Sequence, residues 1–118
     1  LISIASRVDA ESASRRFGEA SSIGAHIRHM RMTIEGVNRW FEKGDWSVNW
    51  DESWSVQQFS APEWEEERRL LLEAAHRMLA HVRAMPFDSS DPIPAMLGTL
   101  AHLAYHVGAV NQLERANR

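Results

Sequence analysis

Apolar residues recur along much of the chain at the three- and four-residue spacing of an amphipathic helix. The clearest stretch lies within residues 23–43, where successive apolar positions are four, three, four, three and four residues apart. These positions are Ile23, Ile27, Met30, Ile34, Val37 and Phe41. Ser21 or Ser22 precedes the stretch as an N-cap, and Gly44 follows it as a stop signal. The pattern predicts a long helix, the second of the chain, that ends at residue 42 or 43.

A shorter run of apolar residues over positions 1–8 predicts a first helix. Residues 9–20 then turn polar and predict a connection with room for a helical turn. The chain lacks an initiator methionine and opens as though in the middle of a helix, so we expect this first helix to be truncated.

The third predicted helix begins at Ser60, where Ser-Ala-Pro-Glu has the order of a capping box with proline in the first turn. Its acidic residues, including Glu67, lie near its start, as the helix dipole favours, and Pro86 ends it. Its apolar face comprises Trp64, Leu71, Ala75, Met78, Val82 and Met85.

A turn is predicted at residues 87–91, and the last helix begins near residues 92–94 with Ser90 or Asp91 as its cap. This helix runs to about Ala116. Its apolar positions are Met96, Leu100, Leu103, Val107 and Val110.

Residues 45–60 differ from the rest because they hold three tryptophans, Trp46, Trp50 and Trp54, among Asn, Asp and Ser residues. The four-residue spacing permits a helix, but the short polar side chains compete for backbone hydrogen bonds. We therefore expect an ordered loop whose indoles pack over one end of a bundle. Without strand alternation anywhere, the predicted fold is all-α: one antiparallel four-helix bundle domain over residues 1–118, with this long Trp-rich connection between helices 2 and 3.

Composition narrows the functional classes. With 44% hydrophobic residues in a chain of 118, there is enough apolar material for a core. The chain has no cysteine, which excludes disulfides, a thiolate nucleophile and zinc ligation by thiolates. A net charge of −3 without a basic stripe argues against nucleic acid as a partner. No apolar run reaches the length of a membrane span and no signal sequence is evident, so we expect a cytoplasmic protein with no membrane contact.

Two histidines in the last helix, His102 and His106, are four residues apart and share one helix face. Small residues around them leave room for an ion and a ligand, and two imidazoles at this spacing can bind one metal ion. Hydrogen-bonded core histidines explain the same pattern. A third ligand would come from the second helix, where periodicity places His26 further inward and His29 at the rim. Spacing alone leaves this choice open.

Two segments carry a family resemblance: Ser-Ile-Gly-Ala-His-Ile-Arg-His-Met over residues 22–30 and Leu-Ala-His-Leu-Ala-Tyr-His-Val-Gly over residues 100–108. They are similar to the two signature segments of the DinB/YfiT-like superfamily of metal-dependent enzymes. The resemblance implies that His29, His102 and His106 bind a divalent metal, with zinc or nickel expected, inside a four-helix bundle. His26 then becomes a reserve ligand or a neighbour of the site.

The resemblance also implies a function. Members of this superfamily include S-transferases and isomerases that use low-molecular-weight thiols such as mycothiol, bacillithiol or glutathione, and a chain without cysteine fits an external thiol. We therefore expect a metal-dependent thiol S-transferase with a small-molecule substrate, and a homodimer. The alternatives are a metal-dependent hydrolase, a non-catalytic metal- or small-ligand-binding stress-associated bundle, and a purely structural dimerising bundle.

Three aromatic residues are candidates for the pocket: Tyr105, Trp50 and Trp54. For each of them, packing is the interpretation that the pattern favours over contact with substrate, and Tyr105 could also reach a dimer neighbour. The two remaining histidines, His76 and His81, are predicted to face solvent.

Overall fold

The computed structural model describes residues 1–86 and 92–118, which contain six helices and no strand. The helices are α1 (Ile2–Arg7), α2 (Ala10–Ser14), α3 (Ile23–Lys43), α4 (Trp50–Trp54), α5 (Ala61–Ala84) and α6 (Pro92–Ala116). The predicted all-α class is confirmed. The predicted turn at residues 87–91 and the caps Ser90 and Asp91 lie outside the described residues.

The predicted start and end signals of α3 and the predicted start signal of α5 are confirmed. Ser22 caps α3 by accepting a hydrogen bond from the backbone N–H of Ala25 at 3.1 Å, and Gly44 ends it with a left-handed φ of 67°. Ser60 and Glu63 form the predicted capping box at the start of α5.

Residues 50–54 of the Trp-rich segment form a short helix, α4, so the predicted loop was wrong for these five residues, whereas the rest of residues 45–60 is not helical. Asn49 caps α4 by accepting from the backbone N–H of Glu52 at 3.1 Å. The hydroxyls of Ser53 and Ser55 fold back onto the carbonyls three residues earlier, at 2.6 and 2.8 Å. The short polar residues therefore cap and close one helical turn, a role that short polar side chains often take.

Helix α3 lies at the centre of the fold and packs against α2, α4, α5 and α6. The core gathers along it and consists mainly of Ile23, Ile27, Met30 and Ile34 with Trp64 and Leu71 of α5 and Val110 of α6. The indole N–H of Trp64 donates to the Val8 carbonyl at 2.7 Å, which ties the N-terminal segment to this core.

A buried ion pair joins α3 to α5. Arg31 donates to both carboxylate oxygens of Glu67, at 2.5 and 3.2 Å, and the two side chains are only 8% and 5% exposed. Arg31 also pairs with Glu35 at 2.9 Å. Glu67 was predicted to contribute favourable charge placement at the helix start, but its side chain faces inward.

Two glycines inside α3 allow the Trp-rich connection to lie close against it. A Cβ at Gly36 would stand 2.7 Å from Val48 Cγ2, and a Cβ at Gly24 would overlap the ring of Phe59. Both separations are below ordinary van der Waals contact, so a side chain at either position would push the connection away from α3.

Helix α6 is apolar on nearly all sides. Met96 and Val110 are buried as predicted, whereas Leu100, placed on the same face by its spacing, is 58% exposed and Leu97 is 61% exposed. By length and composition alone, α6 is the one helix among residues 1–86 and 92–118 that could also cross a membrane, contrary to the prediction that no segment could. Core helices of other proteins meet the same criterion of length and composition.

Candidate metal centre

Three histidines from two helices bring their ring nitrogens to one point. His29 on α3 and His102 on α6 have their Nε2 atoms 3.1 Å apart, and the Nε2 atoms of His102 and His106 are 2.9 Å apart. All three ligand nitrogens lie within 4.8 Å of one another. A divalent ion takes about 2.0–2.1 Å from each imidazole nitrogen, so the group could hold a metal ion after small side-chain adjustments.

The histidine that α3, the second helix predicted from the sequence, contributes to this group is His29, which is only 4% exposed. Periodicity placed it at the rim with His26 further inward, and that prediction was wrong. The reason is α4, which covers the flank of α3 that carries His29. The ring of Trp54 stacks on His29 with centroids 4.2 Å apart, so α4 buries a side chain that the periodicity of α3 placed at the rim.

Ser53 on α4 sets the proton position on His29. Its hydroxyl donates to the Trp50 carbonyl at 2.6 Å, so its oxygen is free to accept the Nδ1–H of His29 at 2.8 Å. With the proton on Nδ1, the Nε2 lone pair points into the cluster, which is the tautomer that a metal requires. Ser53 was not predicted as part of the site, because no sequence signal connects it to a histidine 24 residues away.

His26 contacts the group from outside. Its Nδ1 lies 3.0 Å from the Nδ1 of His106, on the side of that ring opposite the cluster. When His106 presents its Nε2 lone pair to the cluster, its Nδ1–H donates to His26. His26 is therefore a hydrogen-bonding neighbour of the three-histidine group, which is one of the two roles that the sequence analysis left open.

The environment keeps these imidazoles neutral. Burial, together with the neighbouring His102 and His26, lowers the pKa of His29 to about 4. Burial and the neighbouring His29, His102 and His26 lower the pKa of His106 to about 4 as well. Burial also lowers the pKa of His26 and of His102. Neutral rings at neutral pH carry the lone pairs that metal binding needs.

A cavity of about 440 Å³ opens beside His102, between α3, α6 and the Trp-rich connection. Trp50, one of the candidate pocket residues, lines it together with Trp40 and Trp46, which were not candidates. The spacing of Trp46 and Trp50 by four residues was the available signal for Trp46. Trp54 does not line this cavity, because its ring lies over His29 instead.

Tyr105 also lies outside the cavity. Its side chain is 70% exposed, and only the ring edge approaches His106, with centroids 5.1 Å apart. The position turns away from α3, so Tyr105 neither reaches the centre of the group nor packs in the core, and its contact with a dimer neighbour stays a prediction.

The remaining histidines lie away from this site. His76 is exposed as predicted. His81 is partly buried, because it stacks on Phe41 with centroids 5.2 Å apart and lies 3.1 Å from the Glu42 carboxylate. Hydrogen bonds from Arg77 and His81 lower the pKa of Glu42.

The candidate metal centre therefore rests on the geometry of four histidines and one serine. Its ligand group and its outer hydrogen bonds are supplied by α3, α4 and α6, and the adjoining cavity is lined by α3, α6 and the Trp-rich connection. Comparison of the chain with protein-family models, with curated proteins and with solved structures finds no match.

Proposed function

We propose that this chain is a divalent-metal-dependent S-transferase of the DinB/YfiT-like type, which joins a low-molecular-weight thiol to a small electrophilic substrate. The observation that carries the proposal is the convergence of three neutral imidazoles on one point, with the tautomer of His29 fixed by Ser53. A divalent ion bound there would keep coordination positions open and lower the pKa of a water or thiol that it binds.

Each residue around the group has a separate role in the proposal. His29, His102 and His106 would hold the ion, while Ser53 and His26 orient two of these rings through their outer nitrogens. Trp54 covers His29 and keeps water from that side. The chain has no cysteine, so the thiol would enter as a second substrate.

The proposal includes the bundle architecture. We assign α1, α3, α5 and α6 to the four positions of an antiparallel four-helix bundle, with α2 and α4 in the connections. Contacts of α1 with α5, and the ion pair of Arg7 with Glu114 at 2.8 Å, support the placement of the short first helix.

The proposal also includes a homodimer in the cytoplasm. Two leucines of α6, Leu97 and Leu100, are more than half exposed on its outer side, and such apolar surface favours association.

The first test measures metal in protein purified without an affinity tag. We expect about one zinc or nickel ion per chain, its loss in His106→Ala, and its retention in the control His76→Ala, whose imidazole is exposed. Absence of metal in the unmodified chain after incubation with zinc and with nickel would refute the site.

The second test separates the functions. In cobalt-substituted protein, the visible spectrum should change when mycothiol, bacillithiol or glutathione binds. A spectrum indifferent to all three thiols would refute the S-transferase. Bound metal that stabilises the fold, without turnover of any thiol and electrophile pair, would favour the non-catalytic metal-binding bundle.

A further inference from the structure

The cavity beside His102 has an unusual lining for a site that would receive a charged thiol. Among the described residues that line it, none carries a formal charge. The walls are three indoles, from Trp40, Trp46 and Trp50, together with one imidazole, aliphatic side chains and two threonines.

The two threonines cannot donate to a ligand, because both hydroxyl protons are already used. Thr33 donates to the carbonyl of His29 at 2.9 Å, and Thr99 donates to the carbonyl of Ala95 at 3.0 Å. In the metal-free chain, an anion that entered this cavity would lose its water without gaining a cationic side chain or a hydroxyl donor from the described lining, which is unfavourable.

The indoles offer flat apolar surfaces to an occupant. Trp46 and Trp50 are 48% and 44% exposed, which is a large exposed fraction for side chains with such a large apolar ring. Gly36 allows the backbone around Trp46 to lie close against α3, which holds this wall in place. Ring stacking on such surfaces favours a planar aromatic group.

The cavity leads to the metal centre. His102 belongs both to the lining and to the three-histidine group, and its ring stands edge-on to Trp50 with centroids 6.0 Å apart. A molecule seated between the indoles therefore has one end next to the ligand nitrogens.

We propose that this cavity binds the neutral aromatic body of the electrophilic substrate and excludes the charged body of the thiol. The inference rests on the proposed function only where it calls the bound aromatic molecule a substrate. The thiol would then reach the metal centre from outside the cavity with only its sulfur end, and the selectivity for the electrophile would come from aromatic contact.

Two glycines of α6 provide a matched test. A Cβ at Gly98 or at Gly108 would meet no atom within 4 Å, so Gly98→Leu and Gly108→Leu should both fold. Gly98 lines the cavity, whereas Gly108 does not, so only the first leucine enters it.

The probes are 1-naphthol, which is neutral at neutral pH, and 1-naphthalenesulfonate, which has the same rings and a negative charge. Isothermal calorimetry on the metal-free chain should show 1-naphthol binding about 100-fold more tightly than the sulfonate. Gly98→Leu should weaken 1-naphthol binding by about tenfold or more, and Gly108→Leu should leave it unchanged. Equal binding of the two probes, no binding of 1-naphthol, or equal effects of the two leucines would overturn the inference.

His106→Ala keeps this test independent of the proposed enzyme. This variant should lose zinc and still prefer 1-naphthol over the sulfonate, because His106 does not line the cavity. Loss of that preference would count against a preformed aromatic cavity. Failure of the thiol to change the cobalt spectrum, with the preference for 1-naphthol intact, would refute the S-transferase and leave the aromatic site standing.

Discussion

Replacing Ser53 by alanine should weaken metal binding although Ser53 is not a ligand. The hydroxyl is fully buried and accepts the Nδ1–H of His29 at 2.8 Å. Without it, the proton on Nδ1 has no partner, or it moves to Nε2 and must be displaced before a metal binds. Both outcomes lower the affinity of the site.

The size of the effect follows from the same contact. A buried N–H left without an acceptor costs about 1–3 kcal/mol. Removing the outer partner of a metal-bound histidine lowers metal affinity by about 10- to 100-fold, equivalent to about 1.4–2.8 kcal/mol. The two values agree, so we expect Ser53→Ala to bind zinc about 10- to 100-fold more weakly than the unmodified chain.

Competition against a chromophoric zinc chelator at neutral pH measures this difference. Ser55→Ala is the matched control, because Ser55 makes the same backward hydrogen bond, to the carbonyl of Glu52 at 2.8 Å, but is exposed and does not touch His29. A zinc affinity of Ser53→Ala within about twofold of the unmodified chain would refute the tautomer argument. So would an equal loss in both variants.

Three further outcomes test other features. Glu67→Gln should lower the free energy of unfolding in urea by about 3 kcal/mol, because it strips the buried guanidinium of its bidentate partner; a loss below about 1 kcal/mol would contradict burial of the pair. Gly36→Ala should lower the melting temperature despite the better helix propensity of alanine, since its Cβ would stand 2.7 Å from a neighbouring side chain, whereas Gly108→Ala, with nothing within 4 Å, should raise it. The metal-free protein should lose stability as the pH falls from 6.5 towards 4, because the folded pKa of His29 and of His106 is lowered to about 4 and the unfolded chain takes up protons first. The loss should level off below the folded values, and urea unfolding that stayed constant from about pH 7 to pH 5 would contradict it.

The ends of the helices could be predicted from the sequence because their signals are local. The Ser22 cap, the left-handed Gly44 and the capping box at Ser60 each involve residues within one turn of each other. The spacing of His102 and His106 was likewise enough to place both rings on one face of α6. What these features share is that no distant segment decides them.

The choice between His26 and His29 could not be made from periodicity, because burial on α3 is decided partly by a segment that comes later in the chain. A helical wheel for α3 shows which of its residues share a face with the apolar positions. It contains no information about burial by the five residues of α4. The partner of Glu67 was hidden for the same reason, since Arg31 lies 36 residues earlier and on another helix. The interior glycines of α3 did carry a usable signal, because glycine inside a helix often marks the close approach of another segment.

Helix α4 couples ligand binding in the cavity to metal binding at the candidate metal centre, because it contributes one residue to each. Trp50 forms a wall of the cavity, and the Ser53 hydroxyl that bonds to the Trp50 carbonyl also holds His29. A ligand that shifts Trp50 therefore shifts the acceptor that orients a metal-binding ring. Thermodynamic linkage then requires metal and cavity ligand to change each other's affinity by the same factor. Under the two proposals made above, the supply of metal in a cell would set how tightly the chain holds an aromatic ligand, and the ligand would in turn set how readily the metal leaves.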